Sequence, residues 1–338
     1  MNMLNEKEII DLLTSRLGSK SQPCLGKDDV AVIPFKKMKK IGSSSLIFKA
    51  DMLVEGTDVP KGMQPWQIAR KSIVACVSDL SAKGIKPYVS MISIGIPKKY
   101  SDTEIEDLAN GFKIASKEFG VSIVGGDTNE SRELVIDCSM IGFSGNSVAK
   151  IPKRNGASSG DLIVVSGEFG YPSSGFKILT GNAVARKRFK TKAISSVFKP
   201  TPPQKFGIAL AEYFSSSMDS SDGLAISLHE LSKQSHVNFF IDNIPEAKGI
   251  KEFAKVNHID ANDLIFFGGE EYEIIATIPF SKIKQVKSIL RESNLKMLVI
   301  GTVKKGDGKV FVKNLAGGEY SILDPRGYVH RMSPSQYN

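Results

Sequence analysis

The sequence predicts an α/β or α+β protein folded as two domains. Segments with apolar residues at helical spacing interleave along the whole chain with segments that alternate like strands. The length of 338 residues is about twice that of an ordinary domain. Near the midpoint a polar, glycine-bearing stretch, Ser144–Asp161, interrupts the pattern and reads as a linker, giving domains 1–150 and 151–338.

Residues 5–17 have the spacing of an amphipathic helix rather than a signal peptide. Val30–Phe35 and Leu46–Val54 read as strands. Gln64–Lys83 reads as a helix with its apolar side on Trp66, Ile68, Ala69, Ile73, Val77 and Leu80. Tyr88–Ile96 alternates as a strand and stops at Pro97. Asp102–Phe119 follows as a helix, Val121–Val124 as a short strand turning at Gly125–Gly126, and Leu134–Phe143 as another strand. The second half opens with strand Leu162–Ser166, turn Gly167–Gly170 and helix Ser174–Thr180. After the proline-rich Lys199–Gln204 come helix Phe206–Ser215, strands Val237–Ile241 and Tyr272–Ile278, helix Ser281–Ser293 and strand Met297–Val303.

Hydrophobic residues at 41% and charged residues at 24% exclude a wholly disordered chain. No apolar run reaches the ~18 residues of a membrane span, so no membrane partner is expected. Cys24, Cys76 and Cys138, odd in number and far apart, form neither a disulfide framework nor a CxxC knuckle, which suits the cytoplasm. The net charge of +9 is concentrated in Lys36–Lys40 and Ala185–Lys192. Neither cluster has the interleaved aromatics or motif spacing of a nucleic-acid reader, so no nucleic-acid partner is expected. The second cluster could also attract phosphorylated ligands.

Carboxylates gather in short strings beside glycine or serine: Lys27–Asp29, Ala50–Gly56, Ser78–Leu80, Gly125–Asn129, Met218–Gly223 and Gly268–Glu273. One aspartate before a turn is ordinarily a cap or an Asx turn. Six such strings, several following strand-like segments, suggest instead a cleft at strand ends. Two carboxylates ~5 Å apart repel by roughly 3 kcal/mol at an effective dielectric near 20, so converging ones need protons or cations. Oxygen ligands with little histidine or cysteine point to Mg²⁺, which completes its shell with water and phosphate. A Mg-nucleotide site is the reading. His229, His236, His258 and His330 form no HExxH pair, no nucleophile elbow is evident, and Walker A, GxGxxG and kinase patterns are absent.

The strings KDDVAV (27–32), DMLVEG (51–56), VSDLSAKGIKP (77–87), GGDTNES (125–131), KRNGASSGDLIVVSGEFG (153–170), MDSSDGL (218–224) and GGEEYE (268–273) occur in this order. Together they resemble the thiamine-monophosphate kinase family, within the wider aminoimidazole-ribonucleotide synthase superfamily. The resemblance covers roughly residues 28–328. It implies an N-terminal α/β domain that pairs in a homodimer, a C-terminal α/β domain, and Mg²⁺-dependent transfer of the ATP γ-phosphate to thiamine monophosphate, giving thiamine diphosphate and ADP. Carried over by position, Asp29, Asp51, Asp79, Asp127, Asp219 and Asp222 would hold Mg²⁺, and Gly126, Arg154 and Ser221 would contact ATP. Asp58, Glu270 and Tyr328 would face the thiamine moiety. No nucleophile or general base is implied, because the acceptor is already an ionised phosphate. The chain departs from the family pattern at Lys27, at Lys49 and Ala50, where Ser-Thr is usual, and at Asp58, where histidine is usual. The alternatives are another ATP-dependent synthase of the superfamily or a non-catalytic nucleotide-binding protein.

Overall fold

The computed structural model describes residues 31–34, 45–143, 151–314 and 318–328. The predicted helix at 5–17, Cys24, Asp29, the Lys36–Lys40 cluster and part of the interrupting stretch lie outside these residues.

Two sheets organise the chain. The first contains β1 (Ala31–Pro34), β2 (Ser45–Val54), β3 (Lys86–Pro97), β4 (Ser122–Ser131) and β5 (Val135–Phe143), in the order β1-β2-β5-β3-β4. Only β3 and β4 run parallel; the other pairs are antiparallel. One helical turn, α1 (Glu55–Asp58), and two long helices, α2 (Pro65–Ala82) and α3 (Asp102–Phe119), belong to this half. The second sheet contains β6 (Asp161–Val165), β7 (Ser216–Asp219), β8 (Val237–Ile241), β9 (Ile274–Pro279), β10 (Leu298–Lys305), β11 (Val310–Lys313) and β12 (Tyr320–Ile322). Its order is β12-β11-β8-β10-β6-β9-β7, with only β8 and β11 parallel. Around it lie α4 (Tyr171–Leu179), α5 (Lys187–Phe198), α6 (Gln204–Leu210), α7 (Leu224–Ser235), α8 (Ile250–Val256), α9 (Ala261–Phe266) and α10 (Ile283–Glu292).

Local signals account for the long helices. At the start of α3, Ser101 and Glu104 form a reciprocal capping box, and Gly120 closes the helix in the left-handed region at φ 67°. Helix α2 begins with Pro65 and a Gln64–Gln67 capping box. Fourteen of the eighteen residues of α2 are buried, so it has no solvated face. The single apolar side read from the sequence is therefore too narrow. The first sheet and α3 cover part of α2, while α6 and β7 of the second half cover the rest.

Two other expectations change. Residues 121–124 do not turn at Gly125–Gly126: β4 continues to Ser131, because the twelve-residue β3 pairs with it from Ser122 to Ser131. A break there would strand backbone N–H and C=O groups. The basic cluster at 185–192 leads into helix α5, whose buried positions, Ala193 and Val197, are too few to mark it by periodicity.

The cores of the two halves meet. Tyr272, from the second half, packs in the core of the first, and Ala82 at the end of α2 packs with Phe206, Leu210 and Ile274. Beyond the β6–β9 pairing, the Ser166 hydroxyl donates to Glu273 and accepts from the Ile274 amide at 2.8 Å.

Two predictions follow from this packing. A methyl group on Gly111 of α3 would overlap the Trp66 carbonyl and crowd Ala69 of α2. Gly111→Ala should therefore cost about 1–3 kcal/mol in urea denaturation, although alanine gains about 1 kcal/mol of helix propensity. Asn110→Ala, on the exposed side, should be neutral; equal stability of both variants would show that the helices do not touch there. The second concerns pH. Burial raises the Glu273 carboxyl to about 7, with Ser166 pulling it down and Glu168 pushing it up, from an ordinary 4.5. Between these values the folded protein keeps a proton that the unfolded chain has lost. The associated stability is complete below about pH 4.5 and is lost as pH rises through about 7. From pH 5 to 8 the native protein should lose roughly 2–3 kcal/mol more than Glu273→Gln in urea titrations. Parallel profiles would reject this.

Candidate functional site

Strand β2 and helix α2 build the first part of the site. The two-residue pleat puts Ile47, Lys49, Asp51 and Leu53 on the face of β2 that packs under α2. Asp79, on the last turns of α2, lies over that face. The Lys49 ammonium is 2.5 Å from Asp79 Oδ2 and 3.3 Å from Asp51 Oδ2. Asp219, at the end of β7, enters from the second half, accepts from the Ser78 hydroxyl at 2.8 Å and is hydrogen-bonded to Asp79.

The electrostatics follow from enclosure. Burial alone would push the Lys49 ammonium down, but Asp79 and Asp51 outweigh it and hold the group well above the usual lysine range. Asp79 is raised well above the carboxylate range, chiefly by burial; Lys49 draws it down while Asp219 and Asp51 push it up. Asp219 is raised by burial, against the hydrogen bonds from Ser78 and Asp79. Two enclosed carboxyls in contact cannot both be ionised without a counter-charge, and here they share that charge or a proton.

The expected strand-end placement holds for Asp219 but not for Asp51, Asp79 or Asp127. Asp51 lies within β2 and Asp79 within a helix, because an enclosed α2 carries its carboxylate into the interface. Asp127 lies within β4 and is exposed. Register places Asp51, Cys138, Ile92 and Gly126 in one row across the sheet, with Asp127 in the next row, whose side chains leave by the opposite face. Gly126 has a backbone reason to be glycine, since a Cβ there would overlap the Ile92 carbonyl. Among the described residues, no three His, Cys, Asp or Glu side chains are grouped to hold a metal ion.

A second part of the site joins three distant segments. The Glu270 amide donates to the Ser221 carbonyl at 2.6 Å, Tyr272 N–H to Ser220 at 3.0 Å, and Tyr328 N–H to Asp222 at 2.9 Å. Strings that lie far apart in the chain are thus stitched together through their backbones. Glu270 and Tyr272 both occupy the left-handed region, φ 64° and 54°, which costs energy in non-glycine residues and marks a conformation imposed by surrounding contacts. The Glu270 carboxylate pairs with Lys71 through Oε1, while its Oε2 is buried without a partner. Lys71 also donates to the Asp58 carbonyl at 2.7 Å, and the Asp58 carboxylate accepts from Val54 N–H at 2.7 Å. Glu270 is raised by burial, with Lys71 drawing it down.

Of the remaining predicted residues, Ser221 is half-buried, while Asp222 and Tyr328 are exposed beside it. Arg154 is half-buried, 3.9 Å from Glu230, and its charge acts on Asp219. Tyr272 links both parts: burial raises its hydroxyl, and Glu270, Asp51, Asp219 and Asp58 all add to the shift. His229, on α7, is half-buried and bonds the Leu323 carbonyl at 2.8 Å, a structural role.

A cavity of about 870 Å³ lies elsewhere, between α4, α5, the buried Glu271 and the half-buried Glu273, with Lys187, Arg188 and Lys192 of the basic cluster on its wall. None of the predicted site residues lines it. Periodicity overlooked Arg70, Lys71, Ser78 and Lys83, which make the polar contacts of α2. Their signal was available: apart from Arg70, Lys71 and Asp79 the helix has no charged residue, too few for a solvated face.

The chain matches two family models, AIR synthase related protein N-terminal domain over residues 27–144 and the C-terminal domain over 158–313. It is 40% identical to a thiamine-monophosphate kinase of Nitrosopumilus maritimus, over 93% of this chain and 95% of that one. Identity to a Pyrococcus horikoshii thiamine-monophosphate kinase is 32%, over 96% of this chain and all of the other, 100%. Among solved structures, AaThiL complexed with AMPPCP and TMP superposes with a TM-score of 0.82 at 27% identity, covering 98% of this chain and 99% of that one. The thiamine monophosphate kinase of Aquifex aeolicus superposes with a TM-score of 0.78 at 26% identity, covering 95% and 99%. The order of the acidic strings, the paired sheets and these likenesses agree: the chain belongs to the thiamine-monophosphate kinase family, built from the two AIR synthase related domains.

Proposed function

We propose that this protein transfers the γ-phosphoryl group of ATP to thiamine monophosphate, forming thiamine diphosphate and ADP. The carrying observation is the 40% identity to a thiamine-monophosphate kinase over 93% of the chain. The enclosed acidic centre at the junction of the two halves supports it. Its donors are oxygen-only and cation-seeking, which fits Mg²⁺ in kind. Asp51, Asp79 and Asp219, with Asp29, Asp127 and Asp222, would hold Mg²⁺, which when bound supplies neutralisation of phosphate charge. Asp29 lies outside the described residues.

The side chains of this protein then position and shield. Arg154 offers a fixed guanidinium fork to a phosphate. Glu270, with one oxygen paired to Lys71 and the other buried and unpartnered, presents an acceptor to an amine or a cationic ring. Tyr328 lies close to Gly269 and offers an aromatic face to the same ligand. Asp58 serves that side through its turn and the Lys71 contact. The enclosed contact between the halves keeps water from Asp79 and Asp219. Within this reading residues 1–150 and 151–338 are the two domains, and free, buried Cys76 and Cys138 suit a cytoplasmic protein.

A homodimer is part of the proposal. The outer part of the first sheet exposes Phe48, Met52, Tyr88, Met91 and Val124, an apolar set that a second copy would cover. Met52→Glu should move the protein from dimer to monomer in sedimentation equilibrium; a native monomer would remove the proposal.

The activity is tested by incubating the protein with ATP, Mg²⁺ and thiamine monophosphate and identifying the product by mass. Thiamine diphosphate is expected; ATP hydrolysis without it would reject the reading. Glu270→Gln should raise KM for thiamine monophosphate about tenfold or more, a loss of ~1.4 kcal/mol, with KM for ATP unchanged. Equal effects on both would remove Glu270 from the thiamine side.

A further inference from the structure

The Lys49 side chain projects from β2 on the same face as Asp51 and under α2. Its ammonium is within contact distance of carboxylates from two elements, Asp79 on α2 and Asp51 on β2. Enclosure is tight: 18% of the lysine side chain is exposed and 9% of Asp79. Asp79 also touches Asp219 from the second half. A unit positive charge thus lies where carboxylates of both halves converge, the point to which a divalent ion would otherwise be drawn.

An ammonium and a metal ion compete for such a point. The ammonium donates hydrogen bonds to the oxygens whose lone pairs a metal would need, and its charge repels a second cation nearby. The adjacent Ala50 offers no side-chain ligand: it has no oxygen there and lies on the opposite face. Lysine differs from a metal in being resident, since it cannot dissociate. The centre therefore keeps a counter-charge when no nucleotide or metal is bound.

We infer that Lys49 is a built-in cation of the acidic centre, taking the place of one divalent ion and holding Asp51 and Asp79 in position before metal and nucleotide arrive. The inference rests on the kinase reading for its nucleotide, but it concerns binding and assembly rather than turnover. It assigns Lys49 as a positioning residue that acts through the two aspartates.

The test counts bound Mn²⁺ by electron paramagnetic resonance in the presence of AMPPCP, for the native protein and for Lys49→Ser. One additional Mn²⁺ per chain is expected in the variant, and an unchanged or lower count overturns the inference. In EDTA the variant should melt about 5 °C or more below the native protein, because a buried pair has lost one partner, and Mg²⁺ should restore much of the difference. If Lys49→Ser does not fold, the native protein decides the matter. With ¹⁵N-lysine, Lys49 should give a slowly exchanging ammonium resonance, assigned by its loss in Lys49→Arg. Its persistence after addition of Mg²⁺ and AMPPCP supports the inference, and its disappearance would show that metal displaces the lysine. Neither measurement depends on product formation, so failure here is distinct from failure of the kinase assignment.

Discussion

Helix α2 is enclosed on every side, so each polar group it carries must find its partner inside the protein. Arg70 gives a bidentate pair to Glu118 at 2.8 Å and donates to the Pro200 carbonyl at 2.7 Å. Lys83 donates to the Ser217 carbonyl at 2.8 Å. Lys71 reaches Glu270 and Ser78 reaches Asp219. Three side chains of this helix, and Lys83 just past its end, thus reach residues of the second half. Breaking one buried charged pair of this kind costs on the order of 3–5 kcal/mol, so the relative placement of the two sheets is specified by electrostatics as well as by shape.

The same constraint shapes the acidic centre. A helix buried for packing reasons brings Asp79 into low dielectric, where isolated charge is costly. Asp219 arrives on β7 from the other half, and Lys49 from β2 supplies the compensating charge. The site is thus assembled from both halves and forms only when α2 is docked. Anything that loosens the α2–β7 contact also disperses the carboxylates.

The loops around Glu270 show a different economy. Their backbones bond one another across large sequence separations, and two non-glycine residues adopt left-handed conformations within three positions. That strain is sustained by the Ser220, Ser221 and Asp222 carbonyls, which accept from Tyr272, Glu270 and Tyr328. It leaves one oxygen of Glu270 buried and unpartnered. An orphaned acceptor is unfavourable in a folded core, and its retention is understandable where a ligand supplies the donor.

Periodicity, capping and composition made the long elements legible. Asp102–Phe119 is marked by Ser101, Glu104 and Gly120, and Leu46–Val54 by its alternation, because these signals are local and survive without tertiary context. The ordered acidic strings likewise identified the family, since they are properties of the chain itself. Tertiary structure decided the rest. β4 continues through Gly125–Gly126 because β3 supplies a partner, and α2 loses its solvated face because the second half packs on it. The aspartate strings looked equivalent in sequence, yet Asp79 meets Asp219 and shares Lys49 with Asp51, while Asp127 lies one row away across the sheet. Lys49 looked like a departure from a pattern, and its distance to two carboxylates makes it part of the centre. A sequence states which charges exist, but whether they repel, pair or never meet depends on distance and dielectric, and folding sets both.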